Sequence, residues 1–159
     1  FIGDIQRKEK GFHFLMKSLF EIDKQIKLFL ISAPVNVTQV QINDKTCINF
    51  IDKMTTDKMI EFLNDKNIIF AASEYDQFPI SVLEAISCGM TPIMTKENGL
   101  SEIIGDFCSS EIVIYGDTFS LSNVIRKKLN NKSNPVDLEK FKDFAWNQVV
   151  KKHYLPNYE

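Results

Sequence analysis

Short apolar runs alternate with amphipathic segments along almost the whole chain, and this alternation restricts the possible folds more than any other feature. Residues 1–5, 26–32, 46–51, 67–72, 91–95 and 112–115 read as strands. Between them lie helical patterns. Residues 11–23 place Phe12, Leu15, Met16, Leu19 and Phe20 on one face at helical spacing. Thr55, Thr56 and Asp57 read as a cap ahead of Met59, Ile60 and Leu63. Residues 79–88 read as a helix with Pro79 in its first turn and Gly89 at its end. Residues 100–106 form a short helix, and residues 118–129 a longer one on Leu121, Val124, Ile125 and Leu129. Residues 36–44 are ambiguous, residues 130–135 read as a polar loop, and a tail helix over about 136–154 holds the single tryptophan, Trp146.

Strands that are apolar on both sides, each followed by a helix, predict a parallel sheet covered on both faces. The expected architecture is α/β: a Rossmann-like, three-layer α/β/α domain with a parallel sheet of about six strands. A chain of 159 residues fits one such domain over 1–159, with no internal boundary and no repeat. Ligands of such sheets bind outside the carboxyl ends of the strands, so sites are expected in strand-to-helix loops. The chain opens on Phe1-Ile2-Gly3 as if inside a strand, which is expected of a piece of a longer protein.

Charge and cysteine usage narrow the partners. A formal net charge of −2 lacks the basic footprint of a nucleic-acid binder. Cys47, Cys88 and Cys108 form no C-x-x-C pair and read as reduced residues of a cytosolic protein. The longest apolar runs are too short to span a bilayer. No metal-ligand cluster is visible in the sequence. His13 reads as a surface or boundary residue and His153 as a structural or solvated tail residue. Arg126-Lys127-Lys128 reads as a solvated helix face, with contact to anionic lipid as the weaker alternative.

The chemistry concentrates in residues 73–89, which leave a strand and open a helix. Asp76 lies in the loop and Glu84 about one turn into the helix. The N–H groups of Phe78, Ile80 and Ser81 stand at a helix N-terminus, where donors are free for a phosphate. Sugar hydroxyls could donate to the flanking carboxylates. On spacing alone, Asp76 reads equally well as a loop cap and Glu84 as a solvated helix residue.

This segment resembles the E-x7-E region of family 4 retaining glycosyltransferases, in which an acidic residue and a tight turn precede a helix reading LEAxxxG. The resemblance runs nearly the full chain. Phe1-Ile2-Gly3 with Glu9-Lys10-Gly11-Phe12 is similar to the family's opening strand and first helix. Thr91-Pro92-Ile93, Asn98-Gly99-Leu100-Ser101-Glu102-Ile103-Ile104, Tyr115-Gly116-Asp117 and the stretch from Phe144 to Tyr154 are similar to later family motifs.

The resemblance implies the C-terminal, donor-binding half of a two-domain GT-B fold. Asp76 would be the catalytic-site acid near the donor sugar. Glu84 would bind the ribose, and Lys10 would neutralise the diphosphate. Backbone near Gly3, Phe78, Ile80 and Gly99 would line the sugar-phosphate. Two positions depart from the family: Asp76 stands where Glu is common, and Asp4 where Arg is common, with Arg7 and Lys8 later in the same loop. The implied activity is transfer from a UDP- or GDP-sugar in surface polysaccharide or lipopolysaccharide assembly, with no cofactor and no obligatory metal. A glycan or lipid-linked acceptor would be held by an N-terminal domain, in the cytoplasm or at the inner face of the membrane, with peripheral membrane association. Alternative readings are a GT-B-type sugar-nucleotide epimerase domain, an inactive glycosyltransferase-like scaffold, and a flavodoxin-like receiver or binding module.

Overall fold

The computed structural model of the chain describes residues 1–31, 38–105 and 111–131. The expected tail helix, most of the polar loop before it, Cys108, Trp146 and His153 lie outside the described residues. The described residues form an α/β domain with parallel strands and helices on both sides. Strand β1 (Ile26–Ile31) pairs in parallel with β3 (Thr46–Ile51). Strand β2 (Gln39–Gln41), from the ambiguous stretch, runs antiparallel on the outer edge of β3. A second ladder, parallel throughout, runs β4 (Ile68–Ala71), β5 (Thr91–Thr95) and β6 (Glu111–Val113).

Residues 1–5, expected as a strand, contribute one bridge only. Ile2 pairs in parallel with Ile31, where Gly3 N donates to Ile31 O at 3.0 Å and Ile31 N donates to Phe1 O at 3.0 Å. The chain then turns away, because Asp4 Oδ1 accepts from Gln6 N at 2.9 Å and closes an Asx turn. A short 3-10 turn over Lys8–Lys10 leads into α1 (Phe12–Phe20).

The strand alternation sorts the core into two faces. Leu28, Leu30, Ile48, Phe70 and Ile93 point to one side, where they meet Leu15 and Leu19 of α1 and Leu121 and Ile125 of α5 (Thr118–Asn130). Ile31, Ile69, Ala71 and Met94 point to the other. There they meet Leu63 of α2 (Thr56–Leu63), Ala85 and Ile86 of α3 (Ile80–Ser87), and Leu100 and Ile104 of α4 (Leu100–Ile104). Each of the Leu, Ile, Phe and Met side chains among them stabilises the domain by roughly 1.5–3 kcal/mol when fully buried. Helices α1 and α5 meet through two buried serines, with Ser122 Oγ donating to Ser18 O at 2.8 Å. The start of α5 is fixed by Asp117, whose carboxylate accepts from Ser120 N at 2.9 Å. The Ser120 hydroxyl and that backbone contact hold the Asp117 carboxyl below its ordinary range.

Helix α3 begins one residue later than expected. Pro79 is not in the first turn but is the N-cap, with φ −72° and ψ 95°. Proline has no N–H to donate, and this backbone lets its carbonyl accept from Val82 N at 3.0 Å. No side chain caps this helix start.

Candidate functional site

The loops that follow the parallel strands converge at one end of the sheet. Gly11 begins α1 with φ 72°, and a Cβ there would stand 1.7 Å from Ala72 O. Only glycine allows this approach, which sets the first helix against the end of β4. Glu74 N donates to Glu9 O at 2.8 Å, tying the 3-10 turn to the loop after β4. These contacts bring Lys10 Nζ to 2.6 Å from Asp76 Oδ2. The side chains are 25% and 17% exposed, so the pair is shielded more than an ordinary surface ion pair.

From the other side the loop after β5 supports Asp76. Gly99 N donates to Asp76 O at 2.8 Å, and Asp76 and Asn98 form an isolated parallel bridge. A Cβ on Gly99 would stand 2.0 Å from Gln77 O, so the loops touch backbone to backbone. Tyr115 N donates to Glu97 Oε2 at 3.1 Å and links this loop to the one after β6. Burial pushes the Tyr115 phenol up, and the nearby Glu74 carboxylate adds to it.

The result is a cavity of about 280 Å³ bordered by Lys10, Asp76, Phe78, Ile80 and Ser81. The first N–H groups of α3 stand at its wall with no side-chain cap. A helix N-terminus beside an ammonium group suits an anion. Phe78 and Ile80 are exposed at the mouth, at 50% and 65%.

Glu84 does not border this cavity. With Ser87 and Cys88 on the same face of α3, it borders a second one of about 410 Å³, walled by Met54, Met59, Ile60 and Leu63. The two sets lie apart along the helix, residues 80–82 in the first turn of α3 and Glu84 about one turn further on, opposite α2. Gly3 and Gly99 sit beside the site, but their own N–H groups are taken up by Ile31 O and Asp76 O. They position the loops, and their N–H groups do not reach into the cavity. Asp4 is turned to its own loop by Gln6, and Arg7 is held by Glu9 at 2.6 Å. Neither is directed at Lys10 by these bonds.

The sequence reading missed the walls of the second cavity. Met54 lies just beyond the carboxyl end of β3, where strand-end loops were expected to carry sites, but it shows no pattern of its own. His13 is exposed, as expected. Arg126 and Lys127, read as a solvated face, bond to Glu21 O and to Glu111. Cys47 and Cys88 are free thiols. Among the described residues, no cluster of three or more His, Cys, Asp or Glu could hold a metal, and no helix is long and apolar enough to cross a membrane.

The described residues thus form an α/β domain with a crevice at its strand ends. Residues 1–143 match the family described as glycosyl transferases group 1, and the chain belongs to that family. Its fold is similar to GT-B glycosyltransferase domains. Sucrose-phosphate synthase from Thermosynechococcus elongatus superimposes with a TM-score of 0.68 at 17% identity, over 82% of this chain and 36% of that one. HepE from Anabaena, solved with UDP and glucose, superimposes with a TM-score of 0.63 at 16% identity, over 87% of this chain and 39% of that one. HepE with UDP-glucose gives a TM-score of 0.63 at 17% identity, over 87% and 40%. The chain therefore spans well under half the length of these proteins. No curated protein sequence matches it.

Proposed function

We propose that this chain is the C-terminal, donor-binding domain of a two-domain retaining glycosyltransferase, acting on a UDP- or GDP-sugar. The observation that carries this reading is the meeting of Lys10 and Asp76 at 2.6 Å beside the uncapped start of α3. HepE, of similar fold, holds UDP-glucose, which supports the same ligand class here.

In this reading the diphosphate lies against Lys10 and the N–H groups of Ile80 and Ser81. The sugar lies at the mouth, beside Asp76 and Phe78. The nucleoside reaches along α3 to the second cavity. There Glu84 accepts from ribose hydroxyls, and Met54, Met59 and Ile60 cover the base. Cleavage of the bond between the anomeric carbon and the diphosphate leaves an electron pair on the departing phosphate oxygen. Lys10 and the helix start stabilise that charge as it develops. The acceptor hydroxyl attacks from the same face and gives up its proton to the leaving group.

The acceptor is a glycan or lipid-linked sugar of surface polysaccharide or lipopolysaccharide assembly, held by a partner domain. The enzyme works in the cytoplasm, at the inner face of the membrane where the acceptor is lipid-linked. The domain alone binds donor and does not turn over, because the acceptor side of the site lies elsewhere.

Calorimetric titration with UDP, GDP and ADP, followed by their sugar conjugates, tests this reading. One nucleoside diphosphate is expected to bind, and to bind more weakly after Lys10→Ala. Absence of binding by all three in the full-length protein would overturn it.

A further inference from the structure

The row of β4 side chains that faces α3 ends in a polar residue. Ile69 and Ala71 pack in the core beneath α3, whereas Phe70 and Ala72 pack on the α1 side. Alternation returns Ser73, just past the end of β4, to the α3 side. There it borders the strand-end crevice together with Lys10, Ile80 and Ser81.

Ser73 is 5% exposed, and its hydroxyl makes no hydrogen bond among the described residues. The other buried serines described all donate to carbonyls: Ser18 to Phe14 O, Ser101 to Lys96 O and Ser122 to Ser18 O. A hydroxyl taken from water without a replacement partner destabilises the free protein. The backbone around it is fixed from two directions. Thr95 Oγ1 donates to Ser73 O. Ala72 O stands against Gly11, and Glu74 N donates to Glu9 O. The last two contacts flank Ser73 and tie it to the turn that carries Lys10.

The other polar groups named at this wall are donors. An ammonium and peptide N–H groups have no lone pair to offer, so Ser73 has its counterpart in whatever they bind. A phosphate oxygen can accept from several donors at once.

We propose that Ser73 Oγ donates to the sugar-side phosphate of the donor's diphosphate and completes a cradle with Lys10 and the start of α3. The proposal rests on the donor-site reading above. In that reading Asp76, three residues beyond Ser73 and bonded to Lys10, lies beside the sugar, and the nucleoside leaves along α3 toward Glu84. The phosphate nearest Lys10 and Ser73 is then the one next to the sugar. It receives the electron pair when the bond to the anomeric carbon breaks, so the Ser73 hydrogen bond strengthens as that charge develops.

Ser73→Ala in the full-length protein tests this by calorimetry with UDP, GDP and ADP and with the matching monophosphates. The diphosphate that binds the parent is expected to bind the variant on the order of tenfold more weakly. The monophosphate of the same base is expected to bind both equally. The ligand-free variant is expected to melt no lower than the parent, because the hydroxyl removed has no partner; a serine with a structural role would lower the melting temperature. Equal diphosphate affinity in variant and parent overturns the proposal and leaves the donor-site reading standing. Equal losses for monophosphate and diphosphate overturn the assignment to the sugar-side phosphate. Absence of diphosphate binding in the parent overturns the donor-site reading, and this proposal with it.

Discussion

Lys10 and Asp76 lie 66 residues apart in the chain, yet the Lys10 ammonium stands 2.6 Å from the Asp76 carboxylate. The contact depends on the turn ahead of α1 and the loop after β4, held together by Gly11 against Ala72 and by Glu74 against Glu9. In the full-length protein, Lys10→Ala is expected to weaken nucleoside diphosphate binding by roughly 10- to 150-fold. That is the weight of one charged hydrogen bond, about 1.5–3 kcal/mol. Asp76→Asn keeps the shape and frees Lys10. It is expected to preserve diphosphate affinity while lowering the transfer rate. Calorimetry and steady-state kinetics on the two variants separate the roles, and equal loss of affinity in both would contradict them.

Glu84 is exposed on α3 and borders a cavity of its own. Glu84→Ala is therefore expected to leave the melting temperature within about 1 °C, as surface substitutions do. Affinity for a nucleoside diphosphate is expected to fall about tenfold, while inorganic pyrophosphate binding stays unchanged. A parallel loss of pyrophosphate binding would place Glu84 at the phosphates instead of the ribose.

Gly11 and Gly99 are expected to be the least replaceable residues of the site. A Cβ at Gly11 meets Ala72 O at 1.7 Å and also requires φ 72°. A Cβ at Gly99 meets Gln77 O at 2.0 Å with no strain in φ. Gly11→Ala is expected to cost about 3 kcal/mol or more, and Gly99→Ala about 1–3 kcal/mol. Chemical denaturation measures both. Equal stability of Gly11→Ala and the parent would show that the α1 start does not press on β4.

Local pattern was enough for most elements. Residues 46–51 and 91–95 were legible end to end as strands, because every residue of them is buried or half-buried, which leaves a two-sided apolar run. The last strand ends at Val113, two residues short of the expectation, with Ile114 61% exposed in the following turn. An apolar residue in a turn looks the same in sequence as one in a strand. Residues 36–44 had no readable partner, and the short strand found there exists through its pairing with β3.

The sequence by itself determined the alternation of strands and helices and the two-faced sheet. These follow from periodicity, which is a local property of the chain. Only the tertiary structure decided that Lys10 reaches Asp76 and that Glu84 opens on a different cavity. It also decided that the N–H groups of Gly3 and Gly99 are taken up within the fold. Such outcomes depend on where loops from distant strands meet and on which neighbouring elements stand opposite each turn of a helix. Residue spacing along one segment carries no record of either.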